Sequence, residues 1–250
     1  MKTKSCLVTL LFLAVLTVSA QVDDIKSASK NNSSNRSSGS GSSDRGSGGG
    51  GNMFFFFDMF RLLGAWQGNV LDKRDNVPQI VSLDLMMHMA AQPSSYYTFN
   101  PRIRGNWGIF SSDFRVNYLF EQTIDGGSDL TTIDWQILQL NFVNTKHVIV
   151  RAGAGYMQEQ FADHLSYFES TISSNLMFDD NKWGGFVEWR SAKDFETSAV
   201  PRREFNLQVQ KQVFEAGRWH GLATAGLQFQ RWYSSINVWG MQAGFVMKLY

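Results

Sequence analysis

From residue 80 to the C-terminus the chain alternates apolar and polar residues with a period of two, in ten segments separated by turn-like breaks. Side chains on a strand point alternately to its two faces, so this pattern demands half-buried strands and is incompatible with helices. Val81, Leu83, Leu85, Met87 and Met89 oppose Ser82, Asp84 and His88, with Met86 the one apolar intruder. Tyr97, Phe99 and Ile103 then oppose Thr98, Asn100, Arg102 and Arg104, and Phe114, Val116, Tyr118 and Phe120 oppose Arg115, Asn117 and Glu121. The segments near 132–142 and 147–157 are less regular, and 164–178 is the weakest. Regularity returns at Val187 and Trp189, at Phe205 to Val213, at Ala223 to Phe229 and at Met241 to Leu249.

An even number of segments, each about 9 to 15 residues long, suits an antiparallel up-and-down β-barrel whose tilted strands are long enough to cross a bilayer. The breaks at 106–111, 143–146, 179–182 and 215–218 are short, whereas those near 122–131, 158–163 and 191–201 are longer. Alternation of short and long connections is expected where short turns gather at one end and longer loops at the other. The breaks at 91–94 and 233–235 are short and depart from that regularity.

Alternation does not by itself say which face meets solvent, and here composition decides. Only 18% of residues are charged and mean hydropathy is −0.22. Beyond the N-terminus no run of about 18 apolar residues occurs, which excludes a bundle of membrane helices. The polar face carries Gln, Asn, Ser, Thr and Gly with scattered Arg and acid, and Lys is nearly absent from the strands. A soluble barrel would wet that face and carry many Lys and Glu on it, whereas these residues satisfy one another inside a narrow lumen. Aromatics gather near segment ends at Tyr97, Tyr156, Trp183, Trp189, Trp219 and Trp232, the positions that membrane interfaces favour. The expected fold class is therefore an all-β antiparallel transmembrane barrel over residues 80–250. A soluble periplasmic ligand-binding β-barrel is the inverted alternative.

Lys2 and Lys4 precede an apolar run from Leu7 to Val18, and Val18-Ser19-Ala20 offers the small side chains that a signal peptidase reads. Residues 1–20 are expected to be a cleaved secretory signal peptide. Cys6, the only cysteine, would leave with it, so the mature chain would hold neither a disulfide nor a thiol. Residues 21–52 include 10 Ser and 7 Gly, no aromatic residue, and only Val22 and Ile25 as large aliphatics. Such a stretch buries too little apolar surface to offset its ordering entropy, and a disordered tether is expected. Residues 53–67 then turn apolar, with Phe54 to Phe57, Met59, Phe60, Leu62, Leu63 and Trp66. Asp58 and Arg61 share one helical side, so an interfacial helix is expected, with an added strand as the alternative.

The last strand carries a family-level resemblance. Gln242, Gly244, Met247, Leu249 and the final Tyr250 resemble the C-terminal assembly signal of bacterial outer-membrane β-barrels, with the aromatic one position beyond the patterned Leu249. The resemblance implies an outer-membrane location and recognition by the barrel-assembly machinery. It covers the last nine residues specifically and the rest by architecture, and it names no functional family.

Few residues point to chemistry. None of the four histidines, His88, His147, His164 and His220, sits at a metal-ligand spacing, and no Gly-rich phosphate loop leads from a strand into a helix. No metal and no cofactor are expected. With 23 Lys and Arg against 22 Asp and Glu, the net charge of +1 argues against nucleic acid. The one catalytic candidate is His164-Leu165-Ser166, similar to the His-x-Ser pair of small outer-membrane lipid A deacylases, with Glu159, Asp163 or Glu169 as the acid. Asp84, His88, Arg102, Arg104, Arg115, Glu121, Arg151, Glu188, Arg190 and Glu204, together with Asp134 and Glu169, are expected to line the lumen. Both signs of charge in a narrow barrel more often pair and plug it than select an ion. The resulting expectation is a non-enzymatic structural or accessory outer-membrane protein, in contact with membrane lipid and engaging a partner through residues 21–67. A narrow channel is the second reading and a lipid-modifying enzyme the third.

Overall fold

The computed structural model describes residues 21–38, 53–92, 96–123, 126–178 and 182–250. Residues 1–20, the expected signal peptide, lie outside these, as do 39–52 of the expected tether. Ten strands run in order: β1 Val81–Gln92, β2 Tyr96–Trp107, β3 Phe110–Thr123, β4 Gly126–Asn144, β5 Val148–Glu159, β6 Ser166–Phe178, β7 Trp183–Lys193, β8 Arg202–Ala216, β9 Trp219–Trp232 and β10 Ile236–Leu249. Each pairs antiparallel with its neighbours in sequence, and β1 pairs with β10 from Leu83↔Leu249 to Ala91↔Met241, which closes the sheet. The result is a closed ten-stranded all-β barrel without a free edge.

Its sidedness is the reverse of a soluble barrel. Met87, Met89, Ile103, Leu207, Val209, Leu227 and Phe229 are exposed on the outside, while Asn100, Arg104, Asn117, Asp134, Gln136 and Glu188 are buried within. Aromatic residues stand outward near both rims, with Trp107, Phe178, Trp183 and Trp219 towards one and Tyr97, Tyr156, Trp189 and Phe229 towards the other. Trp232 departs from the expected aromatic belt: it points inward and is fully buried.

The irregular alternation of the fourth segment has a structural cause. Between β4 and β5 the register slips at Trp135/Leu138 and again at Asn141/Val143, so Ile137 and Leu138 both face outward in succession. A bulge adds one residue to one strand and shifts every later side chain by one face, which defeats a strict period of two. Opposite the first bulge the strands approach so closely that a β-carbon at Gly155 would lie 1.9 Å from the Trp135 carbonyl oxygen, so only glycine fits. The long break expected over 122–131 is also corrected: β3 continues to Thr123 and β4 begins at Gly126.

The expectation of disorder over residues 21–52 fails where those residues are described. Gln21–Ser38 form a helix, α1, with Val22, Ile25, Ser29 and Asn32 buried at spacings of three and four. Those spacings place one stripe of the helix against the barrel. Met53–Leu71 form a second helix, α2, which agrees with the expected helical segment and extends it by four residues. The two helices meet opposite ends of the barrel. At the end where β1 begins, the Gln67 amide donates to the Trp107 carbonyl at 3.2 Å and its oxygen accepts from the Ile109 N–H at 2.7 Å. α1 instead contacts the ends of β3 and β5, the start of β4 and the connection after β7.

Candidate functional site

The interior of the barrel is the site, and strand pairing builds it. Inward positions recur every second residue, so Asp113 and Arg115 on β3, Glu188 and Arg190 on β7, and Arg202 and Glu204 on β8 all enter the lumen. Arg102 donates from Nε to both Asp113 oxygens at 2.9 and 2.7 Å, and its two terminal nitrogens reach Glu188 at 3.0 and 2.5 Å. Arg104 donates to Asp113 at 2.8 Å. Arg115 holds Asp134 at 2.8 and 2.5 Å and also donates to both carboxylate oxygens of Glu204. Arg202 joins Asp134 at 2.6 Å to Glu169 at 2.8 Å, and Arg190 reaches Glu188, Glu169 and Asp113 at 3.0, 3.2 and 3.3 Å.

Five guanidinium groups, on Arg102, Arg104, Arg115, Arg190 and Arg202, thus meet five carboxylates, on Asp113, Asp134, Glu169, Glu188 and Glu204. The network is neutral, and each member's side chain is at most 3% exposed. Planar guanidinium forks take carboxylates two at a time, which is why arginine and not lysine fills these positions. Two of the links, Arg102 on β2 to Glu188 on β7 and Arg115 on β3 to Glu204 on β8, tie opposite walls together. Towards the β1 end a cavity of about 10 Å³ between His88, Arg104, Phe186 and Lys248 has room for about one water. A cavity of about 150 Å³ beyond it is lined by Pro78, His220, Lys248 and Tyr250.

The other mouth is covered by α1. Val22 and Ile25 pack with Tyr96, Leu119, Leu130, Phe161, Trp232 and Val238, an apolar layer above the charged network. The polar part of the stripe is matched group by group. The backbone N–H groups of Gln21 and Val22 donate to Glu121 at 3.1 and 2.8 Å, and Ser29 donates to Glu159 at 2.5 Å. Tyr233 donates to the second Glu159 oxygen at 2.7 Å. Asn32 and Arg36 both donate to Asp194 at 2.8 Å, and the Arg36 guanidinium lies 5.1 Å from the Tyr167 ring centre. Asp194 belongs to the connection after β7. Burial pushes its carboxyl up, but the bonds from Arg36, Asn32, Thr197 and the Glu196 N–H outweigh burial and hold it below the usual carboxylate range.

Each residue expected in the lumen is buried inside the barrel, but the structure sorts them into three groups. Arg102, Arg104, Arg115, Asp134, Glu169, Glu188, Arg190 and Glu204 join the ion network. Asp84 accepts from Ser82 and Asn106 at 3.4 Å each, and Arg151 donates to Asn175 at 3.2 Å, both towards the β1 end, where His88 also lies. Glu121 sits at the opposite rim and serves α1. Sequence reasoning missed Asp113 and Arg202, although each stands two residues before an identified lumen residue and so shares its face. It also missed Ser29, Asn32 and Arg36.

His164 and Ser166 are not brought together as a pair. His164 has φ of +53° in the turn before β6, so the two residues do not share a strand face. Ser166 opens β6 exposed, while Glu159 and Glu169 point into the barrel and Asp163 is exposed on the turn. No hydrogen bond joins His164 to Ser166 or to an acid among the described residues. In β10, Gln242 faces inward, and a β-carbon at Gly244 would lie 2.4 Å from both His88 Cδ2 and the Met87 carbonyl.

No family model matches the chain, and no curated protein matches it. Among solved structures, the crystal structure of Pseudomonas aeruginosa OccK2 (OpdF) is similar at 12% identity with a TM-score of 0.31. That likeness covers 68% of this chain and 61% of OccK2, so the chain spans about three fifths of that protein's length.

Proposed function

We propose that the protein is an integral β-barrel of the bacterial outer membrane with a closed lumen and a structural or accessory role without catalysis. The neutral ion network across the lumen carries this reading. Two arginine bridges join opposite walls across the lumen, and the cavities described at the β1 end have volumes of about 10 and 150 Å³, too little among the described residues for a continuous hydrated path. The apolar exterior between two aromatic bands supports membrane insertion. Short turns at the β1 end face the periplasm in this reading, so α2 lies at the inner rim and α1 closes the outer mouth. The C-terminal pattern through Gln242, Gly244, Met247, Leu249 and Tyr250 would guide assembly.

Signal-peptide cleavage after Ala20 fits the contacts of α1. It would leave the α-ammonium of Gln21 against the buried Glu121 carboxylate, which has no other cationic partner among the described residues. Engagement of a partner through residues 21–67 then narrows to α2 and the outward face of α1, because the inner stripe of α1 is spent on its own barrel. The test is conductance of the full mature chain in planar bilayers. A flat current at moderate voltage is expected, and discrete, sustained conductance steps would replace this reading with that of a narrow channel.

A further inference from the structure

The outer wall carries a second arrangement that the lumen does not explain. Around the barrel, Ile172, Trp189, Phe205, Phe229 and Trp239 are direct cross-strand neighbours on β6 to β10 and form an outward row. Two residues further towards the α1 end, the next outward row on β7 to β10 reads Ser191, Arg203, Arg231 and Asn237. Arg203 and Arg231 are therefore directly opposed and both exposed. Like charges facing each other across a strand pair repel. Arg231 satisfies part of its fork on the Ser234 carbonyl, at 2.9 Å from Nε, yet no carboxylate pairs with either arginine among the described residues.

Beside it lies an apolar groove. On β10, β1, β2 and β3 a hollow of about 560 Å³, lined almost wholly by carbon, opens between Met89, Ala91, Tyr97, Tyr118, Met241 and Ala243. Small side chains at Ala91 and Ala243 form its floor, and Met241 lies four residues along β10 from Asn237. β9 and β1 are two strand spacings apart, about 10 Å, so the arginine pair and the groove lie within reach of one amphiphile.

We propose that this face holds one phosphorylated, multiply acylated lipid of the outer leaflet, its phosphate on Arg203 and Arg231 and one acyl chain in the groove. Two guanidinium forks match a phosphate in geometry and charge. Their level just beyond an aromatic row is that of lipid headgroups. The inference rests on the membrane reading proposed above, and one sample tests the two separately.

The full chain is reconstituted into nanodiscs, where insertion itself checks the membrane reading. Retention of diphosphorylated lipid A is then measured by native mass spectrometry against its dephosphorylated counterpart. One phosphorylated lipid per barrel should be retained, about tenfold more firmly than the counterpart, and R203Q/R231Q should abolish that preference. A91L/A243L, which fills the groove, should weaken both lipids alike. Equal retention of the two lipids by the inserted wild-type barrel would overturn the inference. So would an unchanged double arginine variant, or displacement of the lipid by excess inorganic phosphate alone, which would reduce the site to a free-anion site.

Discussion

Replacing Glu188 by glutamine changes one charge in the lumen and almost nothing of its shape. The wild-type network balances five arginines against five carboxylates, and the variant leaves five against four in a region without solvent. Glu188 accepts two bonds from Arg102 at 3.0 and 2.5 Å and two from Arg190 at 3.0 and 3.4 Å, so the new amide must turn a donor towards a guanidinium. Breaking one side of a buried pair costs about 3–5 kcal/mol. For a domain of this size each kcal/mol shifts the transition by about 2–4 °C, so E188Q should lower it by about 6–20 °C. The assay is the temperature at which the compact, fast-migrating band in electrophoresis converts to the unfolded one, after reconstitution into lipid vesicles. R102M/E188L restores balance at four against four and should recover most of the loss, since apolar replacement of a whole pair is close to neutral. A shift of less than about 4 °C for E188Q, or a double variant less stable than the single, would refute the reasoning.

Deleting residues 21–38 removes the mouth cover but leaves Arg102–Glu188 and Arg115–Glu204 intact, so the barrel should stay non-conducting in planar bilayers; an open pore would show that α1 is the seal. The Asp194 clamp on α1 has a defined acid response. Its carboxyl is held below the ordinary value of about 3.9, so the stabilisation is fully present above that value and is lost as pH falls through the lower folded value. A spin label at Lys30 should stay immobile from neutral pH to about pH 4 and loosen below it, whereas D194N should loosen α1 at neutral pH; a label already mobile in wild type at pH 7 would contradict the clamp.

How far the fold could be read in advance depended on what each residue faces. β8 and β9 were legible because Phe205, Leu207, Leu227 and Phe229 keep strict phase on the exposed outer face against Asn206, Gln208, Gln228 and Gln230 inside. β4 was blurred because its two bulges exchange faces within one strand, and no residue type announces where a register slips. α1 was invisible for a different reason. Its barrel-facing stripe is Val22, Ile25, Ser29, Asn32 and the half-buried Arg36, so only two of five positions are apolar, and the rest are matched by polar groups far away in sequence. Composition reads such a helix as a tether, because its stability resides in Glu121, Glu159 and Asp194 rather than in itself. The charged lumen was legible in kind from the phase of its arginines and acids, but the partners Arg102–Glu188 and Arg115–Glu204 depend on closure of the barrel, which brings strands five apart face to face.

The central claim is that one face of every strand meets lipid and the other a closed polar interior. Cys6 is the only cysteine in the sequence, so in a C6S background single cysteines placed in turn from Leu222 to Arg231 on β9 carry a spin label without interference. In lipid vesicles the label at Ala223, Ala225, Leu227 and Phe229 should be relaxed strongly by oxygen, and at Thr224, Gln228 and Gln230 by neither oxygen nor a water-soluble nickel complex. Strong relaxation of the first set by the nickel complex would place the aromatic and aliphatic face in water and contradict the account.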